Sequence, residues 1–242
     1  MPTTDELATH LESLHHSDQR VLRTVDSQSA ELWRGPSLLP GWSRAHVVAH
    51  LALNADGFAG ALQGLASGEQ VPIYPSNEAR NAGIHELAQE DTGEIRERLF
   101  AATQRLRDAM ESLTADHWDG SVNRLPEGPV WPAVDLLEAR QREVEIHHAD
   151  LGLAYTHRNW PIEFARTLLD SSTATHDLSP DSPAFTIRAM DVGRDWPVGA
   201  PSPVVSGAAS NLGWWLIGRG SGEGLESDAG PLPALGPWQR VR

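Results

Sequence analysis

The chain has 242 residues, 40% of them hydrophobic, no cysteine, and a formal net charge of −14. The apolar fraction is enough for one large domain or two modest ones and too high for a disordered chain. The acidic balance, with no basic run, argues against nucleic acid or an anionic membrane as main partner, and the lack of thiols rules out disulfides and thiolate metal sites.

No window is long and apolar enough to span a bilayer. The opening residues, Met1-Pro2-Thr3-Thr4-Asp5-Glu6, are polar and acidic, unlike a signal peptide, so the cytoplasm is the expected compartment. Thr3 and Glu6 have capping-box spacing. Leu7, Leu11, Leu14, Val21, Leu22 and Val25 then recur at helical intervals, and the first helix is expected to run to about Trp33, where Gly35-Pro36 stops it. Pro40-Gly41-Trp42 reads as a turn, and Ser43 as the N-cap of a second helix. Val47, Val48, Leu51, Ala55, Phe58, Leu62 and Leu65 form its apolar stripe. His50 falls at the stripe's edge and His46 nearer the opposite face.

Residues 67–91 have little periodicity and are expected to be a long loop. A third helix carries Ile95, Leu99, Ala102, Leu106, Met110 and Leu113 on one face. Residues 117–130, with two glycines and two prolines, suggest a turn or short hairpin. Pro132 suits the first turn of a fourth helix with the stripe Ala133, Leu137, Val144 and Leu151. On it His147 lies beside the stripe and Glu143 further round the same side. Glu145 points away, and His148 flanks the other side. Four amphipathic helices make a bundle the natural architecture for residues 1–155. From residue 156 the character changes. A shorter helix holds Ile162, Phe164, Ala165, Leu168 and Leu169; strand-like runs follow at 184–188 and 203–206; a helix over 207–218 ends at Gly218-Arg219-Gly220. Residues 156–242 are therefore expected to form a smaller α+β domain.

The densest run of metal-binding residue types is Arg142-Glu143-Val144-Glu145-Ile146-His147-His148-Ala149-Asp150. Glu143 and His147, four apart, share a helical face. With His50 from the second helix they make a two-histidine, one-carboxylate set of the kind catalytic zinc sites use. Asp150 could orient a ligating histidine from behind. The plainer alternative is a core-edge histidine beside an ordinary helical ion pair. No H-E-x-x-H, G-x-S-x-G, G-x-G-x-x-G or Walker pattern competes. Ser206 reads as a helix N-cap, and residues 218–224 as a flexible glycine loop.

Leu39-Pro40-Gly41-Trp42-Ser43-Arg44-Ala45-His46-Val47-Val48-Ala49-His50 resembles the signature of the mycothiol-dependent maleylpyruvate isomerases, which are DinB-like metal-binding proteins. Tyr74-Pro75-Ser76-Asn77-Glu78-Ala79-Arg80-Asn81, Arg142-Glu143-Val144 with Ile146-His147, Val204-Val205-Ser206-Gly207 and Gly218-Arg219-Gly220-Ser221 extend the resemblance over nearly the whole chain. It implies a mostly α fold: a DinB-like four-helix bundle with a C-terminal α+β domain. It implies a divalent metal, with zinc the usual expectation, held by His50, Glu143 and His147, and mycothiol as thiol cofactor. Arg219 is implied in catalysis from the second domain. The implied reaction is cis–trans isomerisation of maleylpyruvate, a small dicarboxylate, to fumarylpyruvate in gentisate catabolism, by thiolate addition and elimination. The alternatives are a mycothiol-dependent S-transferase acting on another electrophile and a non-enzymatic metal-binding interaction module.

Overall fold

The computed structural model describes residues 3–177, 183–199 and 203–235. The chain divides into two compact units, Met1–Tyr155 and Thr156–Arg242.

Four long helices build the first unit: α1 (Thr4–Asp26), α3 (Arg44–Ser67), α5 (Thr92–Ser112) and α7 (Asp135–Asp150), with the short α2 (Ala30–Arg34), α4 (Asn77–Leu87) and α6 (Ala115–Trp118) between them. Thr3 caps α1 in a full capping box with Glu6. The helix ends at Asp26 and does not continue to Trp33. Ser27 Oγ and Gln28 Nε2 both donate to the Thr24 carbonyl, at 2.8 and 3.1 Å, and so draw the backbone out of the helix. Trp33, which extends the apolar period, is buried from the separate helix α2.

Ser43 caps α3, with His46 as its capping-box partner, and Gly68 at φ 78° closes the helix. The six consecutive residues Val47, Val48, Ala49, His50, Leu51 and Ala52 are all buried, so over this stretch α3 buries more than its apolar stripe. It is the central helix, packed against α2, α4, α5 and α7. Ala45, Ala49, Ala52, Ala55 and Ala59 keep its surface low enough for close approach.

The expected loop over 67–91 contains helix α4. Its N-cap Ser76 accepts from Ala79 N at 3.0 Å. Residues 121–132 form a hairpin, β1 (Ser121–Asn123) antiparallel to β2 (Val130–Pro132), with Ser121 opposite Pro132. Pro132 thus ends a strand, and α7 starts three residues later. The segment before α4 joins the hairpin side of the unit: Ile73 N donates to Asn123 O at 2.9 Å and Tyr74 N to Arg124 O at 3.0 Å. Gly57 on α3 admits this segment. A Cβ there would sit 2.5 Å from the Ile73 carbonyl oxygen.

The second unit contains α8 (Ile162–Asp177), α9 (Ala209–Leu216) and a four-stranded sheet in the order β4 (Arg194–Val198), β3 (Phe185–Ala189), β5 (Val204–Gly207), β6 (Glu226–Ser227). Only the β3–β5 pair is parallel. Leu169, Phe185, Ile187, Trp196, Val205, Leu212 and Trp215 form its core. Ser206 belongs to β5 and does not cap α9, whose N-cap is Ala208.

Candidate metal centre

Two helices bring the candidate ligands together. His50 projects from the second turn of α3, and Glu143 and His147 from one face of α7. His50 Nε2 lies 2.8 Å from Glu143 Oε2, and His147 Nε2 lies 3.3 Å from the same oxygen. One donor atom from each of the three falls within 4.8 Å of the other two. The imidazoles meet edge to face, 4.7 Å between centroids, and Trp42 closes on His50 edge-on at 5.8 Å. His50 is buried, while Glu143 and His147 are partly open to solvent. Behind His147, the fully buried Asp150 places Oδ2 2.9 Å from Nδ1, which fixes the ring and leaves Nε2 facing forward.

Charge is distributed unevenly among these groups. Burial pushes the His50 pKa down, more than its contact with Glu143 raises it, to about 4. Burial also opposes a charge on His147, but hydrogen bonds to Asp150 and Glu143 outweigh it and raise its pKa to about 9. Burial likewise works against ionised Glu143, yet bonds from His147 and His50 hold its pKa well below the usual carboxylate range. At neutral pH the centre therefore holds ionised Glu143, cationic His147 and neutral His50. Since Glu143 can only accept, His50 carries its proton on Nε2 and leaves Nδ1 bare. Arg80 Nη2 donates to that bare nitrogen at 3.3 Å.

The donor set fits a divalent cation. Two imidazole nitrogens and a carboxylate oxygen converge from rigid helices, a carboxylate stands behind one imidazole, and positive charge is already stabilised on that spot as His147–H⁺. Three protein ligands leave coordination positions for a water or substrate atom.

The neighbouring candidates lie elsewhere. His148 turns to α1, with Nε2 2.8 Å from Thr24 Oγ1 and its ring stacked on Tyr155 at 3.8 Å. His46 lies 3.5 Å from His85 and outside the triad. Glu145, although directed away from the metal ligands, is fully buried and not solvated. It accepts from Ser17 Oγ and Tyr155 OH, each at 2.5 Å, and pairs with Arg20. Arg219 sits in the second unit just after α9, between Gly218 and Gly220, both at positive φ, with its N–H on the Trp214 carbonyl at 3.0 Å. A cavity of about 500 Å³ between α1 and α5, lined by Leu11, Leu22, Phe100 and Met110 among others, holds none of the three ligands.

Sequence reasoning passed over a polar chain beneath the site. Arg140, completely buried on α7, donates to Leu51 O at 2.9 Å, Asn54 Oδ1 at 2.8 Å and Asp18 Oδ1 at 3.2 Å. Asn54 Nδ2 in turn donates to Tyr74 OH at 3.1 Å. Arg140 falls between Leu137 and Val144 in the apolar phase of α7. A cation in that register must be buried and paired, which was the available signal.

A family model described as mycothiol maleylpyruvate isomerase N-terminal domain matches residues 14–152. The crystal structure of the mycothiol-dependent maleylpyruvate isomerase is similar over 98% of this chain and 100% of its own, at 28% identity and a TM-score of 0.87. A histidine-to-alanine mutant of that isomerase matches over the same extent at 27% identity and the same TM-score. No curated protein matches the chain.

Proposed function

This chain belongs to the mycothiol maleylpyruvate isomerase N-terminal-domain family, and from that premise we propose that it is a metal- and mycothiol-dependent cis–trans isomerase that converts maleylpyruvate to fumarylpyruvate. The observation that carries the reading is the convergence of His50 Nε2, His147 Nε2 and Glu143 Oε2 on one point. His50, Glu143 and His147 are the proposed ligands, and zinc is the proposed ion on the strength of its affinity for this donor set. Bound there, the ion would act as a Lewis acid that lowers the pKa of a thiol at an open position. Mycothiol would supply the sulfur whose addition to the conjugated alkene makes the bond single and free to rotate, and whose loss restores the alkene. The chain has no cysteine, so no side chain of its own can do this.

The protein's own residues have definable tasks in this scheme. Asp150 holds the His147 Nδ1–H and keeps Nε2 free as a donor atom. His50, neutral and deep in α3, fixes one corner of the site against displacement. Arg219 is proposed as a guanidinium for a substrate carboxylate or for the enolate oxygen that develops on addition; the family resemblance of its loop supports this role. No helix among the described residues is long and apolar enough to cross a membrane.

The test is a mycothiol-dependent assay on maleylpyruvate, comparing wild type with His50→Ala. Turnover by the zinc-loaded wild type and its loss in the variant are expected. Folded, zinc-loaded protein that leaves maleylpyruvate unchanged would refute the activity, and a stable mycothiol conjugate as product would make the protein a transferase.

A further inference from the structure

Arg80, from the first turn of α4, reaches the buried His50. Its Nη1 donates to Asn81 Oδ1 at 2.9 Å, and its Nη2 to His50 Nδ1 at 3.3 Å. Its guanidinium carbon lies 5.6 Å from the centre of the Tyr74 ring. Its Nε is buried with no hydrogen-bond partner. A buried donor left unmade is costly, so an orphan of this kind calls for a ligand or a reason.

The contact between Arg80 and His50 depends on where the His50 proton sits. It exists because Nε2 carries the proton toward Glu143 and Nδ1 is bare. An imidazole that gives its Nε2 lone pair to a cation must carry its proton on Nδ1. A guanidinium has only donors and cannot bond an N–H. Metal loading therefore removes the acceptor of Nη2. Nη2 and Nε form one edge of the guanidinium fork; on it Nε has no partner and Nη2 then loses its imidazole, while Nη1 remains anchored on Asn81 and the guanidinium also bonds the Tyr74 side chain. Two parallel donors in one plane match the two oxygens of a carboxylate.

We propose that Arg80 is a substrate-binding residue of this centre, whose Nε/Nη2 edge is released from His50 when the metal binds and then holds a carboxylate of the substrate. The inference rests on the metal-centre reading above. It adds an order of events: the metal binds first, and anion affinity follows. Tyr74 keeps the guanidinium in place from below. The ring is itself positioned by Asn54 and by its backbone bond to Arg124. The released edge favours anionic, planar acceptors over neutral carbonyl compounds, so the site selects carboxylates near the ion.

The test is calorimetric titration of maleate, a planar dicarboxylate, into zinc-free and zinc-loaded protein, for wild type, Arg80→Gln and Arg80→Lys, with zinc affinity measured in parallel. The readout is the gain in maleate affinity on zinc loading. In Arg80→Gln that gain is expected to shrink by about tenfold or more, with zinc affinity held within about threefold. Arg80→Lys, a point charge without the fork, is expected to recover only part of it. An equal gain in wild type and Arg80→Gln overturns the proposal. So does loss of zinc together with maleate, which would make Arg80 only a support for His50, and so does a wild type that binds no zinc. Tight zinc-dependent maleate binding without isomerase turnover would remove the proposed activity and leave Arg80's role standing. Turnover with an unchanged KM in Arg80→Gln would do the reverse.

Discussion

In the proposed metal centre, the proton on His147 would set how zinc is taken up. In the metal-free protein this imidazole is charged, with a pKa of about 9, while His50 is neutral down to about 4 and Glu143 is ionised. Coordination needs neutral imidazole and ionised carboxylate. One proton, and only one, must leave as zinc binds near neutral pH. The sign follows: raising the pH removes the competing proton and strengthens binding. Apparent zinc affinity is expected to rise about tenfold per pH unit until about pH 9 and then level off. At pH 7, about two units below that pKa, it should be weaker than its plateau by about 100-fold, or about 2.7 kcal/mol. The assay is competition with a chromophoric chelator from about pH 6.5 to about 9.5, corrected for the chelator's own protonation. Calorimetry in two buffers of different ionisation enthalpy counts the released proton directly. A flat profile would refute the reasoning, because His147 would then be neutral in the metal-free protein. A slope of about two would also refute it, because His50 would then be charged as well. Asp150→Asn, which removes a partner of the proton, should move the break to lower pH.

Two further predictions concern the scaffold. Arg140→Met removes the cation from a fully buried pair and strands Asp18 together with the Leu51 and Asn54 acceptors. A loss of about 3–5 kcal/mol in urea unfolding is expected, with partial recovery in the double variant Arg140→Met with Asp18→Leu; a loss no larger than that of an exposed arginine would show that the chain of bonds contributes nothing. Gly57→Ala places a methyl against the Ile73 carbonyl, a backbone atom that cannot rotate away. It should cost about 1–3 kcal/mol and lower maleate affinity by displacing Tyr74, whereas Gly60→Ala, whose nearest atom would be 4.0 Å away, should be close to neutral.

Much of the site could be read from helical phase. His50, Glu143 and His147 are spaced so that two regular helices suffice to aim them, and Asp150 is one turn beyond His147. What phase cannot supply is the identity of the facing helix. Glu145 lies on the side of α7 opposite the ligands, and phase says only that it points away; α1 covers that side with Ser17 and Arg20, and Tyr155 closes it. Helix α4 was missed because it buries only Ile84 and so has no apolar repeat. Its cap, Ser76 after a proline, was the one local sign of it. The end of α1 was misplaced for the opposite reason. The apolar period continues through Trp33, while the break is made by the short polar side chains of Ser27 and Gln28, which bond back to the backbone. The centrality of α3 was hidden as well, since its stripe is real but the alanines beside it are buried too.

His50 belongs to a stretch of α3, residues 47–52, that has no free side. Every residue along 47–52 is packed, so an exchange there disturbs the interior as well as the chemistry. Helix α4, which buries only Ile84, is where an exchange carries the least of that cost.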